Sequence, residues 1–542
     1  MKNYCLSVLA LCLFINQQNI AQNVYHVNIN NGDDTNDGLL WSSSFKNIQP
    51  AIDIAQEGDT ILIAAGVYHP TKKIAAEHKD KTPTSERHRS FLITKDIALI
   101  GGFPADAINE TTRNDRDWLA NKTVLSGDMN GDDYEKDWPN KDENALHVVV
   151  MLHVSSAMYL DGFYIRGGHA EDDYAPVYVD NTLVQHDCGG GIYAFSKYES
   201  SPTLANLVIC DNQAGQHGGG FYAYSESGEA SPFMTNVTFT GNYADWRGGG
   251  LFIDGMIANP ALLNVNITGN LTNYDGGGLF CIAEKSTEPV LANVLISGNK
   301  AKSGSGAFII ALEEFAAPEI INATICGNKS TSNSRGSGVF ISAETQIAVP
   351  YIRNSVIWGN RSDQTDNITI TGRNGVFTEY ENNLIEGNSP GGSNLSGDDN
   401  PMFVNPKDAD LAPTLNGFGD YRLLPESPLI NKGQNSFMFL SVDLDGNTRI
   451  CGGMIDIGAY EFQDDTSGNE MVSVDQDIWS HEGVLYVKIS KNTTTIRIFS
   501  INGTLISQFN NVLEGLFSVS TLTAGFYIVT LSTGETAKII IR

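Results

Sequence analysis

Between Met158 and about Asn388 the apolar positions of the chain fall on every second residue in short runs, and the runs return with a period of about 30 residues. One copy reads Pro232-Phe233-Met234-Thr235-Asn236-Val237-Thr238-Phe239-Thr240-Gly241-Asn242. Val237 and Phe239 share one face, Thr238 and Thr240 the other, and Val265/Ile267, Val294/Ile296 and Ala323/Ile325 repeat the apolar face. Alternation with period two predicts strands buried on one side. Equivalent runs begin at Pro202, Pro260, Pro289, Pro318 and Pro350. Each contains an inner Asn (Asn206, Asn236, Asn264, Asn293, Asn322, Asn354) and a closing Asn (Asn212, Asn242, Asn270, Asn299, Asn328, Asn360).

Between these runs lies a second marker. Gly189-Gly190-Gly191 recurs as Gly218-Gly219-Gly220, Gly248-Gly249-Gly250 and Gly276-Gly277-Gly278, then softens to Gly304-Ser305-Gly306 and Gly336-Ser337-Gly338. An apolar pair follows each run, from Ile192-Tyr193 to Val339-Phe340. A flat sheet of such strands would expose long edges. Coiling the chain so that each strand pairs with its equivalent one lap later removes most of them, as in stacked repeat architectures. The predicted fold is therefore all-β, a right-handed parallel β-helix solenoid. Asn suits the turns because it tolerates left-handed backbone and bonds turn amides, and stacked side-chain amides bond one another.

The flanks divide the chain further. Lys2, the apolar run Val8 to Ile15 and small Ala21 read as a secretory signal over residues 1–22. Residues 23–157 read as an N-terminal cap and first coils. Within them Ile48, Ala51, Ile52 and Ala55 have helical spacing, suited to covering the open end of a solenoid, and Thr60–Ile63, Ile97–Ile100 and His147–Val150 are isolated strand signals. Regular coils span 158–398, a terminal coil and closure 399–463, a polar linker 464–478, and a small C-terminal β-sandwich 479–542. No stretch after the signal is apolar enough to span a bilayer.

Composition sharpens the picture. Fifty-four glycines and only 18 prolines suit short strands and tight turns, and a formal charge of -29 repels phosphate backbones, so nucleic acid is an unsuitable partner. That field also disfavours polyanionic sugars unless a cation such as Ca²⁺ intervenes. Five cysteines remain after the signal (Cys188, Cys210, Cys281, Cys326, Cys451), an odd number without CxxC spacing, which predicts buried single thiols.

Three resemblances then enter. The Gly-Gly-Gly-Leu/Phe runs and ends such as Phe239-Thr240-Gly241-Asn242 resemble the repeats of polymorphic outer membrane proteins and related pectin-lyase-like β-helix proteins. Gly58-Asp59-Thr60-Ile61, Thr123-Val124-Leu125-Ser126-Gly127-Asp128 and Asp456-Ile457-Gly458-Ala459-Tyr460-Glu461 resemble flanking segments of the same broad bacterial group. The tail, with Ile498-Phe499-Ser500-Ile501-Asn502-Gly503, Leu522-Thr523-Ala524-Gly525-Phe526-Tyr527 and Lys538-Ile539-Ile540-Ile541, resembles the type A C-terminal sorting domain of the type IX secretion system of Bacteroidetes. That likeness implies export by the type IX machinery, to the medium or the cell surface. The first covers lyases, hydrolases and adhesins alike, so fold leaves activity open.

Candidate chemistry lies in the rows that stacking creates. The residue before each glycine run is Cys188, His217, Arg247, Asp275, Ser303 and Arg335, which sets His217, Arg247 and Asp275 in line on one surface. They are the candidate catalytic residues. The aromatic row Tyr193, Tyr222, Phe252, Phe280, Phe308 and Phe340 is a strip for sugar rings if it faces out and a core stack if it faces in; apolar flanks such as Leu251 and Ile253 favour the core. Asp128, Asn130, Asp132 and Asp133 around Gly131 resemble the start of a Ca²⁺ loop, although Pro139 stands where its twelfth-position acid belongs. Asp443, Asp445 and Asn447 form a weaker parallel, equally an Asx turn. The expected function is binding of extended glycans or other surface polymers. The rival is a carbohydrate-active lyase performing β-elimination on an acidic polysaccharide or oligosaccharide, assisted by Ca²⁺.

Overall fold

The structure is a computed structural model that describes residues 22–463 except 75–84, 134–140, 172–176, 332–335, 363–366, 389 and 414–418, together with seven strands between Ile478 and Ile541. Residues 1–21 of the expected signal, the linker to residue 477 and Arg335 lie outside the described residues. The chain divides into two units, residues 1–462 and 463–542.

In the regular coils of the first unit a lap contains a two-residue strand, a glycine turn, a strand of about five residues, a second turn and a long strand, which from Glu319 on is split in two at the inner Asn. Gln213–Ala214, Phe221–Ser225 and Phe233–Thr240 form one lap. Each strand pairs in parallel with its equivalents before and after, so Phe233–Thr240 lies between Thr203–Cys210 and Ala261–Thr268. The laps build sheets of 17, 10 and 6 strands. Same-sheet parallel crossovers take the right-handed sense. Val24–Val27, Thr60–Ala64, Ala98–Phe103 and Tyr159–Asp161 also pair in succession, so coiling begins at Val24. The helix Ile48–Ile54 buries Ile48, Ala51 and Ile52 in the same core as the coils.

That core fills the lumen. Val237 and Phe239, Val265 and Ile267, and Val294 and Ile296 enter it from one wall; Phe221 and Ala223, Leu251 and Ile253, and Leu279 and Cys281 enter it from another. The inner Asn of each long strand takes the left-handed conformation, from φ 49° at Asn354 to φ 56° at Asn236 and Asn264, and the strand bends there. The closing Asn has a different task. Asn270 is fully buried; its Nδ2 donates to Phe239 O (3.0 Å) and Asn299 Oδ1 (3.0 Å), while its Oδ1 accepts from Asn242 N (3.0 Å) and Asn242 Nδ2 (3.0 Å). The same pattern runs through Asn212, Asn242, Asn299, Asn328 and Asn360, ending on Asn367. All four capacities of the amide are used.

The glycine runs sit against this ladder. A Cβ on Gly249 would lie 2.4 Å from Leu271 O of the next lap, so no side chain fits. Where the row carries Ser305 instead, its hydroxyl donates to Lys329 O at 2.7 Å.

Residues 399–462 depart from the expected terminal coil. Phe403, Tyr421, Leu423, Leu429 and Ile457 pack on Leu295, Cys326, Val356 and Leu384, side chains on the outside of the large sheet. Asn293 Nδ2 to Val442 O (2.6 Å) and Ala459 N to Thr324 Oγ1 (3.0 Å) fasten the segment along that wall. Apolar residues at outward positions of the last coils, such as Leu295 and Val356, recruited it. Of the five thiols, Cys188, Cys281 and Cys326 are buried and Cys210 and Cys451 half-buried; none is paired with another described cysteine in a disulfide.

The second unit is antiparallel throughout. Ile478–His481, Val484–Ile489 and Gly515–Val519 form one sheet, and Leu505–Asn510, Thr495–Ser500, Gly525–Leu531 and Thr536–Ile541 the other. Alternate residues from both, including Leu485, Val487, Ile496, Ile498 and Val529, are buried, as in a sandwich.

Replacing Asn270 by Ala removes the side-chain donor to Phe239 O and the amide bonds to Asn242 and Asn299 in a dry interior. We expect a loss of about 2–4 kcal/mol, read from the urea midpoint. Asn273→Ala, at an exposed position, is expected to change stability by less than about 0.5 kcal/mol.

Candidate functional site

The glycine turn and the strand after it place several rows side by side. The first is the row before the glycines. His217 bridges to Arg247 and Arg247 to Asp275 in parallel register, so the structure brings the three candidate residues together on successive laps. Arg247 Nε lies 3.7 Å from Asp275 Oδ2. The His217 ring stacks on Phe252 (centroids 4.4 Å, 16° between planes), and the Arg247 guanidinium carbon lies 5.2 Å from the Phe280 ring centre. Burial lowers His217 to about 4, with Arg247 adding to the effect, so the imidazole is neutral near pH 7.

The second row is the aromatic one, and it resolves differently from either expectation. Leu251 and Ile253 point into the lumen, so Phe252 between them points away from it. Yet Tyr193, Tyr222, Phe252, Phe280, Phe308 and Phe340 are all buried. They stack ring on ring, with centroid spacings of 5.3 Å from Tyr193 to Tyr222, 5.4 Å to Phe252, 5.3 Å to Phe280, 4.9 Å to Phe308 and 4.5 Å to Phe340. Cys188, Val177, Val179 and Val184 pack on one end, and His217 and Arg247 cover the middle. The row is a second apolar spine outside the lumen, neither a wet strip nor part of the central core.

Farther along the same strands lies Asp254, in register between Tyr224 and Ile282. Desolvation raises its carboxyl to about 7, against the pull of Arg247 and with a push from Glu284. Asp254 is the single acid in a row that holds Phe195, Tyr224, Ile282 and Ile310 and then Ser342 and Thr371, a signal present in the repeat itself.

On the solvent side of the first row stand Trp246 and Tyr274, 49% and 45% exposed. Their ring centroids are 5.7 Å apart with 38° between planes. His217 meets the Trp246 ring edgewise at 6.3 Å, and Lys302 Nζ lies 5.6 Å from the Tyr274 ring centre, which extends the strip over four laps. Polar groups line its edge: Asp245 Oδ1 accepts from Tyr243 Oη (2.9 Å) and Asn273 Nδ2 (2.6 Å). Trp246 and Tyr274 each precede a residue of the predicted row. Their aromatic character at a turn position was the signal available in the chain.

The acidic loop is a separate place. Asp128 Oδ1 accepts from Gly131 N (2.7 Å) and Asp132 N (3.2 Å), and Asn130 Oδ1 from Asp132 N (3.2 Å). Carboxylate oxygens of Asp128, Asp132 and Glu143 lie within 4.8 Å of one another. Of the four expected metal ligands, Asp128 and Asp132 join this group; Asp133 binds Asn144 Nδ2 (2.8 Å) through Oδ2, and Asn130 caps the turn. Glu143 lies beyond the loop in sequence, which hid it. Desolvation raises the carboxyls of Asp133 and Glu143, reinforced by neighbouring acids, although Asn144 and nearby cations partly offset it at Asp133. Asp443 Oδ1 accepts from Asp445 N (3.0 Å) and Asn447 N (2.8 Å), an Asx turn.

Residues 481–542 match the model of the secretion system C-terminal sorting domain. The body is similar to the solved structure of pectate lyase Pel9A, at 12% identity and a TM-score of 0.35, covering 82% of this chain and 97% of that one. It is also similar to a GH136 lacto-N-biosidase from Eubacterium ramulus, at 13% identity and a TM-score of 0.26, covering 66% of this chain and 68% of that one. At such distances these likenesses carry no argument about activity. No curated protein matches the chain. The protein is thus a parallel β-helix carrying a type IX sorting tail, and it is secreted or attached to the cell surface. Among the described residues no helix is long and apolar enough to cross a membrane.

The neutral His217 sets a pH dependence. Its unfolded pKa of about 6.5 exceeds the folded value, so the unfolded chain binds more protons as pH falls from 6.5 toward 4, and stability falls with it. His169, also lowered to about 4, and His147, lowered to about 3, add in the same sense. His217→Phe keeps an aromatic ring over Phe252 and removes the titration. We expect its urea stability to drop less between pH 7 and pH 5 than that of the parent, by roughly 1 kcal/mol; an equal drop would contradict the assignment.

Proposed function

We propose that the protein binds an extended glycan along the strip formed by His217, Trp246, Tyr274 and Lys302. Sugar rings present C–H faces that pack on aromatic rings and hydroxyls that bond at the edges. Trp246 and Tyr274 supply the first, repeated at the spacing of neighbouring laps, and Asp245, Asn273 and Tyr243 the second. The observation that carries the reading is two large aromatic side chains half-exposed on adjacent laps. In a protein that conceals its long aromatic row, that exposure has a cost which a bound ligand removes. The coils hold the platform rigid, so little entropy is lost on binding. The ligand class this favours is a neutral or weakly charged polysaccharide, because a net charge of -29 opposes a polyanion.

The lyase reading draws on the same row. A neutral His217 suits a base, but its ring lies flat on Phe252, and Arg247, the cation for a uronate carboxylate, already faces Asp275 and Phe280. Binding without elimination is the better supported of the two.

Affinity electrophoresis and calorimetry against a panel of neutral and uronate polysaccharides test the proposal. We expect Trp246→Ala and Tyr274→Ala each to weaken binding at least about tenfold, or ~1.4 kcal/mol, with folding unchanged. Unaltered affinity in both variants, or no binding to any polymer by the parent, would overturn it. Growth of ultraviolet absorbance from unsaturated products, abolished in Arg247→Ala, would establish the lyase instead.

A further inference from the structure

We infer that Asp128, Asp132 and Glu143, with the side-chain carbonyl of Asn144, bind one divalent cation of calcium size. The site follows the strand Thr123–Ser126 and precedes the strand Val149–Leu152. It is remote in sequence from the glycan strip and independent of that proposal.

The geometry comes first. Oxygens that share a Ca²⁺ ion at about 2.3–2.6 Å lie up to about 5 Å apart across it. The carboxylate oxygens of Asp128, Asp132 and Glu143, all within 4.8 Å of one another, fit that span. The loop begins as a Ca²⁺ loop does, with oxygen residues Asp128, Asn130 and Asp132 at alternate positions, but it turns at Gly131 (φ 76°), two positions ahead of that loop's glycine. Its twelfth position is Pro139, and Glu143 supplies the acid missing there.

An independent observation points to a ligand. Asn144, next in the chain to Glu143, is fully buried, and its Nδ2 is held on Asp133 Oδ2 at 2.8 Å. Its Oδ1 has no hydrogen-bond partner, and neither do the buried Oε1 of Glu143 and Oδ1 of Asp133. A buried oxygen with no donor is costly. Three converging carboxylates, one of them with a buried unpartnered oxygen, beside the unpartnered oxygens of Asn144 and Asp133 form a donor set suited to a hard cation, which takes oxygen ligands in irregular arrangements. Lys141 and Arg166 are cations that face Asp133, and Lys141 is shared with Asp211. Mg²⁺ fits less well, since it demands near-octahedral ligands and sheds water reluctantly.

An ion here would fasten the loop 128–133 to residues 143–144, next to the first coils of the regular stack, where Gly127 N bonds Arg166 O and His169 N bonds Ala145 O. Calorimetry and thermal unfolding of the whole secreted chain, stripped with a chelator and titrated with CaCl₂ or MgCl₂, test the inference. We expect one Ca²⁺ per chain, a rise in melting temperature with Ca²⁺, and at least tenfold weaker binding of Mg²⁺. Glu143→Gln and, as a second variant, Asp132→Asn should each weaken Ca²⁺ binding at least tenfold while matching the parent's melting temperature in chelator. No Ca²⁺ binding by the parent, or parental affinity in a folded variant, would overturn the site. Equal affinity for Mg²⁺ would overturn the assignment to calcium.

Discussion

The buried asparagine ladder is the constraint on which the rest of this structure depends. Each closing Asn spends its amide on the strand carbonyl of one lap and the asparagine of the next. A slip of one residue would break these bonds and turn every lumen side chain toward solvent. The lumen supplies most of the driving force, since apolar burial is strong but undirected. The ladder supplies the register. The two are coupled, because an amide in this position is tolerable only when all its bonds are made.

Once register is fixed, any residue type repeated at one position becomes a continuous row, and each row then has its own chemistry. The aromatic spine is the plainest case: six rings that would be isolated in a globular fold lie 4.5–5.4 Å apart here. The spine is capped by His217 and Arg247, and beyond those caps the surface is free to vary. Variation is what produces function on a repetitive scaffold. Trp246 and Tyr274 occupy turn positions that hold Gln216 and Lys302 in neighbouring laps, and Asp254 interrupts an apolar row. The tail adds a different function, export, as a separately folded unit with its own core.

How much of this was legible in the chain differs by level. The coils were, because alternation, glycine and asparagine agree at every repeat. The cap helix was, from the spacing of Ile48, Ala51 and Ile52. The adjacency of His217, Arg247 and Asp275 followed from the repeat alone. The direction of Phe252 did not, because Leu251, Phe252 and Ile253 are all apolar and a strand can bury both faces. Nor did the docking of residues 399–462 on the outer wall, which depends on outward apolar residues such as Leu295 and Val356 that read as ordinary core. Glu143 escaped for another reason. It approaches Asp128 through the path of the chain, and no local spacing rule reaches it.

Cross-linking of paired cysteines measures the stacking itself. Val208, Thr238 and Asn266 are register partners on three successive laps, each half-buried on the outer face. Neighbouring laps are about 4.8 Å apart and alternate laps about twice that, beyond disulfide reach of about 7 Å between Cα atoms. With Cys210 and Cys451 replaced by Ser, the pairs Val208→Cys/Thr238→Cys and Thr238→Cys/Asn266→Cys should close under mild oxidation, and Val208→Cys/Asn266→Cys should not. Closure of the skipped pair as readily as the adjacent ones, or closure of none, would contradict the stacked, in-register coils.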